Sequence, residues 1–275
     1  MKKMKRLSVL LWFIICVCSV CGQDKNKNLT FTVKGVSFEM IFVDSGTFLM
    51  GCSDERKDCY SNEMPAHKVT LSPFYMGKCE ITQKMWYAVM GTTIKKQHKL
   101  ASTVSSFGEG NDLPMYYINY DECVVFCAKL NNLLSNQLPK GYKFRIPTEA
   151  QWEYAARGGK KSNGYEYSGN NSIDEVAWYS GNSGEKAHEV GTKKANELGI
   201  YDMSGNVGEW CQDGNVDYLN IPDTNPKYLS TNFVHILRGG SFSHPTASCR
   251  VRFRRSSSGD IRYGNIGLRI CLSSY

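Results

Sequence analysis

Residues 159–235 set the strongest limit on what this chain can fold into. The stretch is rich in Gly, Asn and Tyr and has little hydrophobic periodicity of helical or strand type. Irregular segments of that length are uncommon inside a compact domain. Those that occur are usually functional, or are pinned by metals or disulfides. The flanks are regular. From Phe31 the chain alternates in short β-like runs, FTVKGVSFEMIFV and GTFLMG, and HKVTLSPFYMGKCEIT adds two strands broken at Ser72-Pro73. Three helices follow. Thr82 caps QKMWYAVM, which ends at Gly91. Asn119 with Glu122 forms a capping box for a helix reaching about Leu134, with Cys123, Phe126, Cys127, Leu130 and Leu134 inward. Thr148 with Gln151 does the same for TEAQWEYAAR, which Gly158 stops. VHILRGGSF, SCRVRFR and IGLRICL read as closing strands. The order of strands, helices, long loops and strands implies an α+β domain whose first and last strands share a sheet. The apolar stripes on the helices are core positions.

The chain opens with Lys2, Lys3, Lys5 and Arg6, followed by an apolar run over residues 7–20. That run has signal-peptide length and is short for a span of about 20 residues. We read residues 1–22 as a signal peptide and 23–30 as a polar linker. Export to the periplasm, the outer envelope or the medium is expected. Lipid anchoring at Cys21 is the lesser alternative, because Val20 makes a poor lipobox. Four of the formal +7 charges belong to the basic start, leaving about +3 for the rest. That charge makes no electrostatic case for nucleic acid.

The chain has eleven cysteines. Eight lie beyond the signal: Cys52, Cys59, Cys79, Cys123, Cys127, Cys211, Cys249 and Cys271. An even number in an oxidising compartment suggests disulfides, though eight allow about 105 connectivities. Cys52 and Cys59 bracket a short polar loop and form the best local pair. No pair has the spacing of a zinc site.

Six phrases then occur in order: FLMG (48–51), EMPAHKVTLSPFYMGKCEIT (63–82), FRIPTEAQWEYAARGG (144–159), NELGIYDMSGNVGEW (196–210), LRGGSF (237–242) and IGLRI (266–270). Together they resemble the formylglycine-generating enzyme, or sulfatase-modifying factor, family over residues 31–275. The resemblance implies a C-type-lectin-like α+β fold with little regular secondary structure. Active members oxidise a sulfatase cysteine in a CxPxR-type peptide to formylglycine, using copper(I) and oxygen. Related domains occur in iron-dependent sulfoxide synthases, in envelope lipoproteins and in binding proteins without catalysis.

Active members carry two cysteines five residues apart after Gly-Gly-Ser, and two soft thiolates suit copper(I). Here the resemblance places the second cysteine at Cys249, the active-site serine at Ser241, and His244 where the first cysteine belongs. Imidazole is a copper ligand, but a harder, neutral one. We favour Cys249 as a buried or disulfide-bonded strand cysteine, with Cys211 the candidate partner. Arg250, Arg252 and Arg254 alternate and so should share one strand face, solvated or ion-paired in preference to binding an anion.

The loop DMSGNVGE (202–209) mixes hard oxygen donors with turn residues, as calcium requires. The resemblance implies a calcium site from the Asp202 side chain, the Gly205 and Val207 carbonyls, and the Glu209 carboxylate. Gly208 stands where the family has Trp, which should loosen the loop. Three functions follow from these readings. The favoured one is a non-catalytic envelope module with a protein or glycan ligand. The others are an oxidoreductase acting on a sulfatase CxPxR peptide through an altered copper site, and a lectin-like receptor with a variable last segment. Sulfoxide synthase chemistry is excluded, because the chain lacks the added helical bundle and its histidine-rich iron motif.

Overall fold

The first strand begins at Leu29, inside the expected linker. Residues 27–53, 58–103, 105–229 and 231–275 are described in the computed structural model. The expected signal segment, Cys21 and the first half of the linker lie outside them. β1 (Leu29–Val33) and β2 (Val36–Val43) form a hairpin. Its turn residues Lys34 and Gly35 both take positive φ, 45° and 81°, as a two-residue hairpin turn requires. β3 (Gly46–Met50), β4 (His67–Leu71) and β5 (Phe74–Gly77) follow, with the break at Ser72-Pro73.

α1 (Gln83–Met90) starts at Thr82, whose hydroxyl accepts from the Met85 amide at 3.3 Å, and ends at left-handed Gly91. α2 (Ile94–Leu100) was not foreseen. α3 (Tyr120–Leu133) opens with the Asn119–Glu122 capping box and buries Cys123, Phe126, Cys127 and Leu130. β6 (Lys143–Arg145) leads to α4 (Glu149–Ala156), capped by Thr148 and Gln151. α5 (Ile173–Val176) is a single turn.

The long irregular stretch is interrupted by β7 (Gly208–Gly214) and the two-residue β8 (Asp223–Thr224). β9 (Val234–Arg238), β10 (Arg254–Ser258), β11 (Ile266–Gly267) and β12 (Cys271–Ser273) complete the chain. The expected strand SCRVRFR is instead a 3-10 turn over Thr246–Cys249 followed by irregular chain, and β10 begins only at Arg254. IGLRICL divides into β11 and β12.

Three sheets result, ordered β1-β2-β5-β12-β6, β10-β9-β7-β11 and β3-β4-β8. The first and last strands share the five-stranded sheet, as the element order implied. One core lies where α1 and α3 pack, with Trp86 stacked on Phe126 at 5.3 Å. A second surrounds α4, every residue of which is buried. A helix buried all round can carry Glu149 and Glu153 only if both are paired. No helix among the described residues is long and apolar enough to cross a membrane.

Candidate functional site

β9 delivers the Gly239-Gly240-Ser241 turn. Gly240 has φ of 72°, and a Cβ there would lie 2.6 Å from the Ser248 carbonyl and 2.8 Å from the Cys249 sulfur. Only glycine allows so close a crossing. Beyond the turn, Ser241 Oγ lies 2.6 Å from His244 Nδ1, and Arg255 Nη1 lies 2.9 Å from His244 Nε2. A guanidinium only donates, so Nε2 must be the acceptor and Nδ1 carries the proton. Burial, with the neighbouring Arg255 charge, pushes the His244 pKa down to about 4, so the ring is neutral at pH 7. Its Nδ1–H therefore donates to Ser241. In this tautomer the imidazole cannot take the serine proton, so the pair is not a nucleophile with its base.

Cys249 ends the 3-10 turn and is fully buried. Burial pushes its thiol up to about 12, against the pull of the Ser241 and Gly205 amides. Cys211, the expected disulfide partner, is also a free buried thiol, so that pairing is not formed. Of the eight cysteines from Cys52 onward, only Cys52 and Cys59 are joined; the other six are free. A copper(I) site needs accessible soft donors. Here the thiol is sealed and protonated, and both nitrogens of His244 are engaged. The residues present do not fit copper.

The arginines depart from expectation. Arg250, Arg252 and Arg254 are all buried. Arg250 donates to Glu63 Oε1 at 2.9 Å, and Arg252 donates to Glu166 Oε2 at 2.7 Å. Asp58, beside the disulfide, pairs with both. Arg254 grips Glu149 through Nε at 2.8 Å and Nη2 at 2.7 Å, and Arg238 pairs with Glu153. Burial alone would raise the Glu153 pKa, but the Arg157 and Arg238 charges outweigh it and hold the carboxyl low. The arginines are therefore ion-paired but not solvated. They form a buried framework under the turn, where charges persist because each has its counter-ion. Nothing in an alternating R-x-R-x-R pattern marks burial, and the partners Glu63, Glu149 and Glu153 lie far away in sequence.

The expected calcium donors are only partly gathered. Asp202 is buried, with φ of 57°. Its Oδ2 accepts from the Gly191 amide at 2.7 Å, and its Oδ1 has no partner among the described residues. Glu209 is held by other side chains. Arg269 Nε reaches both of its oxygens at 3.0 Å, Arg269 Nη2 reaches Oε1 at 2.7 Å, and Trp152 Nε1 donates to Oε2 at 2.6 Å. Gly205 and Val207 lie in the same loop, where the Gly205 amide donates to Gly239 and the Val207 amide donates to Glu80. With Glu209 held by Arg269, this arrangement does not fit the four-donor set. Gly208 is not a loosening substitution either. It starts β7 with its amide on the Asn265 carbonyl at 2.8 Å, and a Cβ would lie 3.2 Å from the Gly240 carbonyl. A Trp would not enter without moving a backbone.

Beside the turn opens a cavity of ≈ 500 Å³, lined by Phe107, Tyr117, Phe242, Ser243, Arg255 and Asn265 among others. Sequence reasoning singled out none of these six. The usable signal was the Arg254-Arg255 dipeptide. Adjacent strand residues face opposite sides, so one arginine enters the framework and the other reaches the cavity.

The family model of the sulfatase-modifying factor enzyme 1-like domain matches residues 29–274. The chaperone protein LppX of Paenibacillus barcinonensis is 36% identical over 242 residues, covering 75% of this chain and 80% of its own. The formylglycine-generating enzyme of Streptomyces coelicolor is 34% identical over 143 residues, 46% of this chain and 45% of that one. Among solved structures, Treponema denticola variable protein 1 superposes with a TM-score of 0.76 at 29% identity, covering 89% of this chain and 98% of that one.

Proposed function

Because the chain belongs to the sulfatase-modifying factor family and has its α+β, C-type-lectin-like fold, we propose that it is a non-catalytic binding module of that family. The observation that carries this reading is the state of the turn. His244 stands at the first cysteine position with both ring nitrogens bonded, and the Cys249 thiol is fully buried. A fold supplies no activity when its ligand set is broken. Long irregular segments over a rigid framework suit recognition instead. One relative, 36% identical over 75% of this chain, is by its name a chaperone, which favours a protein ligand. Export belongs to the same proposal. The Cys52–Cys59 bridge supports an oxidising compartment.

The test is turnover. Purified protein is incubated with copper(I), oxygen and a CxPxR peptide, and the peptide is weighed by mass spectrometry. No aldehyde is expected. Conversion that disappears in both Cys249→Ala and His244→Ala would make the protein an oxidase with a His/Cys copper site and sink the proposal.

A further inference from the structure

β10 pairs antiparallel with β9, with Arg254 opposite Arg238 and Arg255 opposite Leu237. The two arginines therefore serve opposite faces of one strand. On the first face Arg254 and Arg238 meet Glu149 and Glu153. On the second, Arg255 lines the ≈ 500 Å³ cavity and, among the described residues, has no carboxylate partner. Burial pushes its pKa below the usual guanidinium value, and only the Tyr263 hydroxyl pulls the other way. A partly buried guanidinium without a counter-ion is costly unless something supplies the charge. Its one hydrogen bond among the described residues is the donation to His244 Nε2 at 2.9 Å, which fixes the fork and leaves its remaining N–H groups available.

The other cavity groups narrow the ligand. Arg262 also lines the wall, but Glu122 already neutralises it. One positive charge is left over, which matches one negative charge. Phe107, Tyr117, Phe242 and Tyr263 give the cavity aromatic walls, and Phe107 packs against Phe242 at 5.1 Å. Such walls bury a flat apolar body, and a few convergent polar groups set its orientation. Asn265 and Ser243 are joined at 2.9 Å and supply those groups.

We propose that this cavity binds an organic monoanion, with a carboxylate or sulfate head on Arg255 and an aromatic body between the Phe107 and Tyr263 walls. The inference rests on the binding-module reading and names the chemistry that a ligand of the module would present at this cavity. The shared chemistry is a planar or near-planar face of oxygens offered to a guanidinium fork.

The probes are N-acetylphenylalanine, its uncharged amide and phenyl sulfate, titrated calorimetrically into the full chain. The acid or the sulfate should bind at least about tenfold tighter than the amide. A preference for the sulfate over the acid would assign the head group as sulfate, and the reverse as carboxylate. Arg255→Met should erase the preference of anion over amide. Equal affinity for all three in the unaltered protein, including no detectable binding, overturns the inference without any variant. So does an anion preference that survives Arg255→Met. Copper-dependent turnover would instead overturn the binding-module reading and leave this comparison untouched.

Discussion

Arg269 and Glu209 form a fully buried, multiply bonded pair, with both carboxylate oxygens inside 3.0 Å of the guanidinium. Removing one partner strands the other in the core. Arg269→Met should cost about 3–5 kcal/mol of unfolding free energy. Adding Glu209→Met should recover much of that loss. A double-mutant cycle by urea denaturation checks both. Independent, additive losses would mean the pair is not coupled as the geometry demands.

The same pair bears on calcium. A tightly bound ion at a hundredfold excess over its dissociation constant would add about 2.7 kcal/mol. With Glu209 engaged by Arg269 and Trp152, millimolar calcium should leave the melting temperature where EDTA leaves it. A rise of several degrees would show that Glu209 leaves Arg269 to take the ion.

Cysteine chemistry gives a third prediction. Cys79 is the one free cysteine among the described residues that is partly exposed, and burial pushes it up to about 12. Cys249, also pushed up to about 12, is sealed. Iodoacetamide at neutral pH should label the Cys249 peptide only after denaturant is added. Labelling in the native protein, mapped by peptide mass spectrometry, would return Cys249 to the list of reactive thiols.

Asp213 should tune stability with pH. Burial, then the neighbouring Glu149 charge, push its pKa to about 7, against the Tyr228 and Glu149 amides and Arg254. The folded state thus holds a proton that the unfolded chain gives up near 3.8. This contribution is fully present below pH 3.8 and is lost as pH rises through 7. His244 acts oppositely. Its folded value of about 4 lies below the usual imidazole value of 6.5, so its contribution is present above 6.5 and is lost as pH falls through 4. Between 6.5 and 7 the histidine contribution is common to the parent and to an Asp213 variant, so it cancels in their difference. Asp213→Asn should therefore flatten the stability decline in that window, whatever its offset, in unfolding curves at half-unit pH steps.

The Cys52–Cys59 bridge closes a loop of seven-residue separation whose Asp58 pairs with Arg250 and Arg252. Cys52→Ser with Cys59→Ser should lower stability by about 2 kcal/mol. Asp58→Asn in the bridged protein should cost less, since Asp58 is exposed and its pairs are screened. Equal effects would place the stabilisation in the ion pairs and not in the bridge.

What was legible in the sequence was mostly local. Thr82, Asn119 and Thr148 announced their helices because a cap acts within one turn, and the Cys52–Cys59 loop announced its bridge because it is short. The shared sheet of first and last strands followed from element order. The region after Gly240 was misread because its arginines are organised by distant acids, Glu63 on one segment and Glu149 and Glu153 on another. No local pattern encodes such partners. The Arg269–Glu209 pair escaped for the same reason, and with it the loss of a calcium donor. Cysteine number misled because burial protects a thiol as well as pairing does.

β12 lies between β5 and β6 and is bonded to both, so the last of the five strands in sequence is the one that joins the sheet across its middle. Until β12 is in place, β1-β2-β5 and β6 are separate pieces with a strand-wide gap between them. Closing that gap sets Cys271 against Met76, residues far apart in sequence. Pairing of that range is slow to form and leaves strand edges open in the meantime, so the folding chain stays exposed to wrong pairings until its sheet is joined.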